Sequence, residues 1–455
     1  MAKVVIIGAG LSGLSAAYHL EKKGFSDYLI IEKEANSGGL CRSIRQDGFT
    51  FDFTGHLLHS SNPYFSSLLL HLLGSDNVNK IMRRSFIYSH GVYTPYPYQV
   101  NLHGLPLKTI LDCIEGFVKR KSSKKKPKLF AEWVLKNFGQ GLANSFFFPY
   151  QRKLLQYDVR KLSASWTGRF VPKTSLRQML AGALHNNGQN IGYNATFLYP
   201  RRGGIQYLID QFVKKLNTQV ITNCSVATID LKKRIIMFKS GESISFDLII
   251  NTMPLNEFLF GCSSTSLVQA ANKLLCTSVM CLNLGIERPS FSDKQWVYYP
   301  EKQYPFYRLG FYNTFSSAMV PQGCSSMYIE CSYRNKSERS IKNLVKAARA
   351  EVKKLFNLSE DEIVVENTLS IPHAYVIYDL WRERNLAKLL VRLEQEGIYS
   401  IGRYGAWKYA SMQESVLDGR NVANKIIVQL ACRNIFSFKQ GKHDIKGPHR
   451  LTDVV

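Results

Sequence analysis

Hydrophobic positions at the start of the chain follow the pattern of a buried strand, a helix and a second buried strand. Residues 4–7 form an apolar, β-branched run, which is typical of a parallel strand covered on both faces. A helical repeat of apolar positions follows through residues 14–22, and residues 28–31 form a second apolar run that ends at Glu32. The pattern predicts a strand–turn–helix–strand unit, and therefore an α/β fold.

The turn of this unit has the glycine spacing of a dinucleotide-binding motif, Gly8-Ala9-Gly10-Leu11-Ser12-Gly13. The first glycine permits a tight turn, the second lets the backbone approach a pyrophosphate, and the third lets the helix pack close to the sheet. The helix N-terminus offers free N–H groups and a positive dipole end to the phosphates. An acid about 20 residues further on can accept hydrogen bonds from a ribose. We predict a dinucleotide site that includes Gly8, Gly10, Ser12, Gly13 and Glu32.

Length and composition indicate a globular protein of roughly two to four domains, since the chain has 455 residues and 45% of them are hydrophobic. No signal peptide is apparent, and the longest uncharged stretch, 53–75, contains histidines and serines and is a poor membrane span. Nine cysteines lie scattered without a C-x-x-C pair. We therefore expect a reduced, cytoplasmic protein with no membrane span.

The formal net charge of +25 favours anionic partners. The densest basic cluster, residues 119–128, is interpreted as a solvated loop between two helices. We expect no nucleic-acid partner, because no nucleic-acid-binding motif accompanies the charge.

A second glycine pair, Gly38-Gly39, follows Glu32 and precedes Leu40. It resembles the extended motif of the amine-oxidase-like FAD superfamily, in which the pair lies along the pyrophosphate and ribityl of FAD. Residues 246–254 resemble a later strand of that superfamily, and Val226 stands where its members contact the adenine. The resemblance implies that the cofactor is FAD and that Gly38, Gly39, Leu40 and Val226 belong to its site.

Further motifs, in order between about residues 4 and 430, resemble the UDP-galactopyranose mutase family, and its eukaryotic members more than the short bacterial ones. They are Phe51-Asp52-Phe53-Thr54-Gly55-His56-Leu57, Tyr96-Pro97-Tyr98-Gln99, Phe148-Pro149-Tyr150-Gln151, Ser165-Trp166-Thr167-Gly168-Arg169, Gln295-Trp296-Val297-Tyr298-Tyr299-Pro300, Pro305-Phe306-Tyr307-Arg308, Ala374-Tyr375, Gly402-Arg403-Tyr404-Gly405-Ala406-Trp407-Lys408-Tyr409 and Met412-Gln413-Glu414-Ser415. Thr54 stands where the family usually has glycine and Gln151 where it usually has asparagine; the last run is shorter than the family's.

The resemblance implies a role for each motif. His56 would lie in a loop against the flavin, and two arginines would grip the substrate diphosphate, to which planar guanidinium groups are suited. The implied catalytic residues are His56, Arg169 and Arg308. The implied substrate contacts are Tyr96, Gln99, Phe148, Trp296, Tyr298, Tyr375 and Tyr409. Arg403 and Gln413 would complete the flavin site, and no metal ligand is implied.

The function implied by the resemblance is a flavin-dependent isomerase that interconverts the pyranose and furanose forms of a UDP-sugar such as UDP-galactose. N5 of reduced FAD would act as the covalent catalyst, with NAD(P)H as the external reductant. An FAD-dependent amine-oxidase-like oxidoreductase, either an oxidase or a desaturase, is the alternative. A flavoprotein that has lost catalysis is a third. The sugar, the base and the oligomeric state stay open.

The predicted architecture is a Rossmann-like FAD-binding domain with two insertions. The FAD-binding domain comprises residues 1–80, 195–265 and 390–435. A helical insertion comprises residues 81–194, and a strand-rich substrate domain comprises residues 266–389. Residues 436–455 are expected to form a flexible tail.

Overall fold

A computed structural model describes residues 4–121, 124–185 and 195–440, with the backbone alone for residues 169–170 and 433–440. The strands are β1 (Val4–Ile7), β2 (Tyr28–Ile31), β3 (Ser43–Gln46), β4 (Phe49–Asp52), β5 (Val78–Met82), β6 (Ser85–Ser89), β7 (Val92–Pro95), β8 (Thr196–Pro200), β9 (Val220–Ile221), β10 (Val226–Asp230), β11 (Ile235–Phe238), β12 (Ser243–Ser245), β13 (Leu248–Asn251), β14 (Cys276–Ile286), β15 (Trp296–Tyr298), β16 (Arg308–Phe311), β17 (Ser325–Tyr333), β18 (Ile363–Val376) and β19 (Ile398–Ser400). The α-helices are α1 (Leu11–Glu21), α2 (Pro63–Leu73), α3 (Leu107–Val118), α4 (Phe130–Leu142), α5 (Phe148–Leu155), α6 (Thr167–Phe170), α7 (Leu176–Leu184), α8 (Gln206–Lys214), α9 (Leu255–Gly261), α10 (Thr265–Ala271), α11 (Glu338–Phe356), α12 (Leu380–Gln395), α13 (Gly402–Gly405) and α14 (Met412–Gln440).

A five-stranded parallel sheet, in the order β19-β13-β1-β2-β9, lies at the centre of the predicted cofactor domain. Val4 is opposite Tyr28 of β2 on one side and Leu248 of β13 on the other. All residues of β1 and β13 are buried, as expected for parallel strands covered on both faces. Helices α1 and α14 pack against each other and contribute to the same hydrophobic core. The predicted α/β class is confirmed.

A seven-stranded sheet, in the order β18-β14-β17-β16-β15-β6-β7, forms the second layer. Strand β14 pairs with β17 and β18 along its length, and the sheet is antiparallel except where β15 pairs with β6. The strands β6 and β7 come from the segment that the sequence predicted to be helical. They join this sheet because Ser85 and Phe86 pair with Trp296 and Val297, a long-range contact that local periodicity does not report.

The segment 81–194 otherwise supplies a helical layer, formed by α3, α4, α5 and α7, with an aromatic-rich core of its own. Helices α3 and α4 approach so closely that their backbones touch. A Cβ atom on Gly141 would lie 2.0 Å from the carbonyl oxygen of Asp112, and one on Gly139 would lie 1.9 Å from that of Gly116. The two helices can therefore pack only with glycine at these positions.

The predicted flexible tail, residues 436–455, begins inside a helix, since α14 continues to Gln440; residues 441–455 lie outside the described part. The remaining domain bounds stay a prediction.

We expect Gly141→Ala to lower the free energy of unfolding by about 1–3 kcal/mol, because the new methyl group overpacks the backbone contact between α3 and α4. The measurement is the thermal unfolding midpoint of the FAD-loaded protein. Gly261→Ala is the matched control, since a Cβ atom there would meet only the Ala227 carbonyl oxygen at 3.7 Å. An equal midpoint for both variants would contradict the packing argument.

Candidate active site

The glycine turn between β1 and α1 is shaped by close packing. Gly8 has φ +98°, and a Cβ atom there would lie 2.4 Å from Oγ1 of Thr252. A Cβ atom on Gly13 would lie 2.0 Å from the carbonyl oxygen of Gly8. Both glycines are therefore required by the protein itself, as predicted for the tight turn and for the contact between helix and strand.

Gly10 is different, since protein packing does not require it. A Cβ atom at Gly10 would meet the Cα atom of Gly39 at 3.8 Å, an ordinary contact. Gly10 and Gly38 form a β-bridge, so the two glycine segments lie side by side. Gly10 is also the N-cap of α1, whose first turn has no capping side chain and no acidic residue. The helix end is therefore suited to an anion such as a pyrophosphate.

The Glu32 carboxylate is fixed at the end of β2. Its Oε2 accepts a hydrogen bond from the N–H of Ala9 at 2.9 Å, and its Oε1 accepts one from the N–H of Glu34 at 3.0 Å. Each oxygen keeps capacity for a ribose hydroxyl. The Glu32 carbonyl accepts a hydrogen bond from Cys224, two residues before Val226 and the start of β10. Val226 is thereby held beside Glu32. We refer to the two glycine segments and Glu32 as the cofactor cradle.

Two predicted flavin residues contact other parts of the cofactor domain. The Ser12 hydroxyl lies against Gly402, because a Cβ atom on Gly402 would be 2.3 Å from it. The Gln413 side-chain oxygen accepts hydrogen bonds from the N–H groups of Ser61 and Asn62, at 2.8 and 2.9 Å. Gln413 thus ties the start of α14 to the chain that follows the His56 loop.

Arg403, on α13, lies within a group of tyrosines. Its guanidinium donates to the carbonyl oxygens of Ala374 and Ala410, both at 3.1 Å. It lies 5.6 Å from the ring centroid of Tyr375 and 5.9 Å from that of Tyr409. Contacts of this kind stabilise a buried cation.

Arg308 forms a bidentate ion pair with a residue that the sequence did not single out. Its Nε and Nη2 atoms donate to the two carboxylate oxygens of Glu330 at 2.5 and 2.7 Å. The two residues face each other on β16 and β17, and the Glu330 side chain is 0% exposed. Burial by itself would lower the pKa of Arg308, but the Glu330 carboxylate raises it well above the ordinary range. Arg308 is therefore always charged, with part of its guanidinium left for a ligand.

His56 lies near both arginines. The pKa of its imidazole is lowered to about 4, chiefly by burial and to a lesser degree by the charges of Arg308 and Arg403, while a hydrogen bond with the Thr54 backbone opposes the shift. Thr54 has φ +74°, an unfavourable conformation for a β-branched residue. The imidazole is therefore neutral at physiological pH, on a loop with backbone strain at its start.

Aromatic side chains form the walls around Arg308. The ring of Tyr298 lies 5.7 Å from that of Tyr96 and 5.4 Å from that of Tyr150. The Tyr307 hydroxyl donates to that of Tyr375 at 3.3 Å. Leu40, from the predicted flavin motif, packs against the same group of buried residues. The cofactor cradle and the aromatic walls therefore meet at Leu40.

Other predicted substrate residues take structural positions. The Gln99 amide donates to the carbonyl oxygen of Pro172 at 2.7 Å. Phe148 is buried in the core of the helical layer, and the Trp296 ring lies 5.6 Å from that of Phe197. Tyr409 packs edge-on against Trp166, at 5.7 Å between ring centroids. The Arg169 side chain lies outside the described part.

The sequence interpretation missed Glu330, Tyr150 and Tyr307 as members of this site. Tyr150 and Tyr307 stand inside quoted motifs, so their aromatic character was a usable signal. Glu330 is polar in an apolar strand run, Met327–Ser332, and a lone carboxylate there was the available sign of a buried partner.

The family model described as flavin containing amine oxidoreductase matches residues 11–427. The chain belongs to this family. It is a flavoprotein, and the cradle around Gly10 and Glu32 fits the FAD that the family binds.

The crystal structure of a reduced UDP-galactopyranose mutase is similar to the chain, with a TM-score of 0.88, 28% identity and 94% of each chain covered. Among curated proteins, protoporphyrinogen oxidase 2 from Arabidopsis thaliana is 25% identical over 246 residues, 47% of each chain. A 4,4'-diapolycopene oxygenase from Methylomonas sp is 24% identical over 339 residues, 65% of each chain. The chain thus spans about half to two thirds of these curated relatives. In the described residues, no helix is both long and apolar enough to cross a membrane.

The His56 ring should not titrate between about pH 5 and 8, because its pKa lies near 4 in the folded protein. The measurement is NMR of protein labelled at the histidine ring carbons, with the signal assigned through His56→Gln. Free histidine in the same buffer is the reference, and its ring titrates near about 6.5. A His56 signal that titrates with free histidine would contradict a partly buried position near two arginines.

The same shift has a consequence for stability. The unfolded chain takes up a proton on His56 near pH 6.5 and the folded chain only near pH 4. The contribution of the neutral His56 ring to the free energy of unfolding is therefore complete above about pH 6.5, and it falls by about 3 kcal/mol as the pH drops through 4. His19, whose pKa burial also lowers to about 4, adds a slope of the same sign.

Proposed function

We propose that this protein is a flavin-dependent nucleotide-sugar mutase that interconverts the pyranose and furanose forms of a UDP-sugar such as UDP-galactose. The observation that carries the proposal is Arg308, held by Glu330 among tyrosines and beside His56 and Arg403. A diphosphate needs fixed cations, and a nucleotide base needs flat aromatic surfaces. The likeness to reduced UDP-galactopyranose mutase supports the same assignment.

The charges suit a leaving group that must be held while it is detached. Arg308 and Glu330 together carry no net charge. The pair would therefore act mainly by orienting the N–H groups of the Arg308 guanidinium toward a ligand. Arg403 donates to two carbonyl oxygens, and in the described part of the chain it forms no ion pair with a carboxylate. The expected second diphosphate cation, Arg169, would add another. Together they would stabilise negative charge developing on the diphosphate.

The tyrosines would act as donors as well as walls. Burial raises the pKa of Tyr375 and holds that of Tyr307 well above the ordinary range, so both hydroxyls stay protonated. The Tyr307 hydroxyl already donates to Tyr375, which leaves the Tyr375 proton for a phosphate oxygen. Tyr96, Tyr150 and Tyr298 would exclude water and stack on the base.

Reduced FAD, when bound, would supply a nucleophile for covalent catalysis with no net redox change. The residues of this chain would orient it. His56, neutral and partly buried, would contribute a hydrogen bond and would not serve as a general acid at neutral pH. NAD(P)H as the external reductant remains part of the proposal.

An oxidase or desaturase is the second candidate, and the curated relatives favour it. Val279, Ile371 and Ala374 pack in a buried cluster with Tyr307, so the surroundings of that tyrosine are partly apolar. An apolar substrate would, however, bury Arg403 without an anion, which is costly. The cationic site therefore favours the mutase.

The FAD-loaded protein should interconvert UDP-galactopyranose and UDP-galactofuranose after reduction with dithionite, and not while oxidised. Chromatography of the nucleotide sugars measures the reaction. The mutase proposal would be contradicted if neither the reduced nor the oxidised protein interconverted the sugars. Consumption of an apolar amine or polyene with reduction of the flavin would then support the second candidate.

Arg308→Lys should lower kcat/KM for interconversion by roughly 10²–10³-fold, since lysine cannot bond Glu330 and a phosphate in one plane. The matched control is Arg334→Lys, a cation that stacks on Tyr157 outside the site, and it should react like the wild type. The visible spectrum verifies that both variants retain FAD. An equal loss of kcat/KM in both variants would contradict the assignment of Arg308 to the diphosphate site.

A further inference from the structure

Two neighbouring helices of the helical layer expose apolar side chains at helical spacing. On α3 these are Leu107, Leu111 and Val118, and on α7 they are Leu176, Leu180 and Leu184. Leu107 and Leu184 are each 70% exposed. We refer to these six side chains as the apolar face.

The apolar face is separate from the sides of α3 and α7 that pack in the core. Helix α3 already buries its other side, through Thr109, Cys113 and Phe117, and α7 buries Met179 and Gly182. The two helices pack against each other, and the Gly182 carbonyl accepts hydrogen bonds from the loop that precedes α3. Their exposed apolar side chains therefore point away from the buried sides of two adjoining helices, and large exposed apolar patches usually indicate an interaction surface.

A dense positive charge adjoins the apolar face. The chain leaves α3 through exposed Lys119, Arg120 and Lys121, and exposed Lys124, Lys125, Lys126 and Lys128 follow before α4. We call these seven residues the basic segment. Residues 106–128 contain eight basic and two acidic residues. Both acids are already paired at i,i+4 spacing, Asp112 with Lys108 and Glu115 with Lys119.

We propose that the apolar face and the basic segment dock the protein on an anionic lipid surface. Amphipathic helices that expose leucines beside clustered lysines bind at the boundary between headgroups and acyl chains. A group of four to eight Lys and Arg residues next to such a helix attracts acidic headgroups. This inference does not depend on the reaction proposed above, because it uses no residue of the candidate active site.

The charge distinguishes a lipid surface from a second copy of this chain. In a two-fold dimer through the apolar face, the same patch meets itself, and both acids of residues 106–128 are already paired. That arrangement would offer the lysines no free carboxylate across the interface. An anionic membrane neutralises the lysines and accepts the leucines at the same time.

Both halves of the surface should be needed for binding. Each lysine near an acidic membrane adds attraction that salt screens, and the leucines add burial that salt does not weaken. Binding should therefore weaken with salt and with the loss of either half.

The test is co-sedimentation of the FAD-loaded protein with phosphatidylcholine vesicles, with and without about 30% phosphatidylserine. We expect binding at low salt to the vesicles that contain phosphatidylserine, and at least tenfold weaker binding to those without it. Two triple variants separate the halves: Leu107→Ser with Leu111→Ser and Leu184→Ser, and Lys124→Glu with Lys125→Glu and Lys126→Glu. Each should weaken binding by at least about tenfold.

Matched controls carry the same changes elsewhere. Leu70→Ser with Val391→Ser and Val428→Ser removes exposed apolar side chains on other helices, and Lys342→Glu with Lys346→Glu and Lys354→Glu reverses exposed charge on α11. Both should bind vesicles like the wild type. An unchanged flavin spectrum verifies that each variant is folded.

Three results would overturn the proposal. The first is a wild type that does not sediment with phosphatidylserine vesicles. The second is full binding by the leucine variant, which would mean that charge alone acts. The third is a wild-type dimer, by light scattering, that the leucine variant turns into a monomer while neither binds vesicles; a second copy would then cover the apolar face.

Discussion

The ion pair between Arg308 and Glu330 is the interaction on which the candidate site depends. A buried carboxylate is costly to bring out of water, and the two-point contact with the guanidinium offsets that cost. The pair also fixes the register of β16 against β17, because the residues lie directly opposite each other. The surrounding tyrosines pack around the Arg308 guanidinium. A ligand phosphate would therefore meet a guanidinium whose orientation is already set.

The cofactor cradle reaches this pair through three short segments. The His56 loop leaves β4 at Asp52, which is buried among Ser43, Tyr199 and Ile205. The α13 segment carries Arg403 from the end of β19 toward the tyrosines, and Leu40 follows the second glycine pair into the same apolar group. The Leu40 and α13 segments follow β2 and β19 of the parallel sheet, which gathers loops at the carboxyl ends of its strands, whereas the His56 loop follows the β3–β4 hairpin. The seven-stranded sheet then closes the site from the other side.

The local sequence was enough to predict the cofactor cradle, but it predicted the substrate site only in part. The glycine spacing, the β-branched strand and the acid at Glu32 are neighbours in the chain, so their roles follow from local geometry. The sheet position of β6 and β7 and the partner of Arg308 depend on contacts between distant segments. Gln99 and Gln413 illustrate the same limit: an amide suited to a ligand bonds equally well to backbone, and the sequence does not reveal which partner is near.

Titration of UDP into the oxidised, FAD-loaded protein, followed by the visible flavin spectrum, tests most directly whether the arginine–tyrosine site adjoins the cofactor. We predict a saturable spectral change, because a diphosphate held near Arg308 and Arg403 would alter the charge around the flavin. Calorimetric binding of UDP without any spectral change would place the nucleotide elsewhere. The absence of binding up to about 1 mM would contradict a nucleotide site altogether.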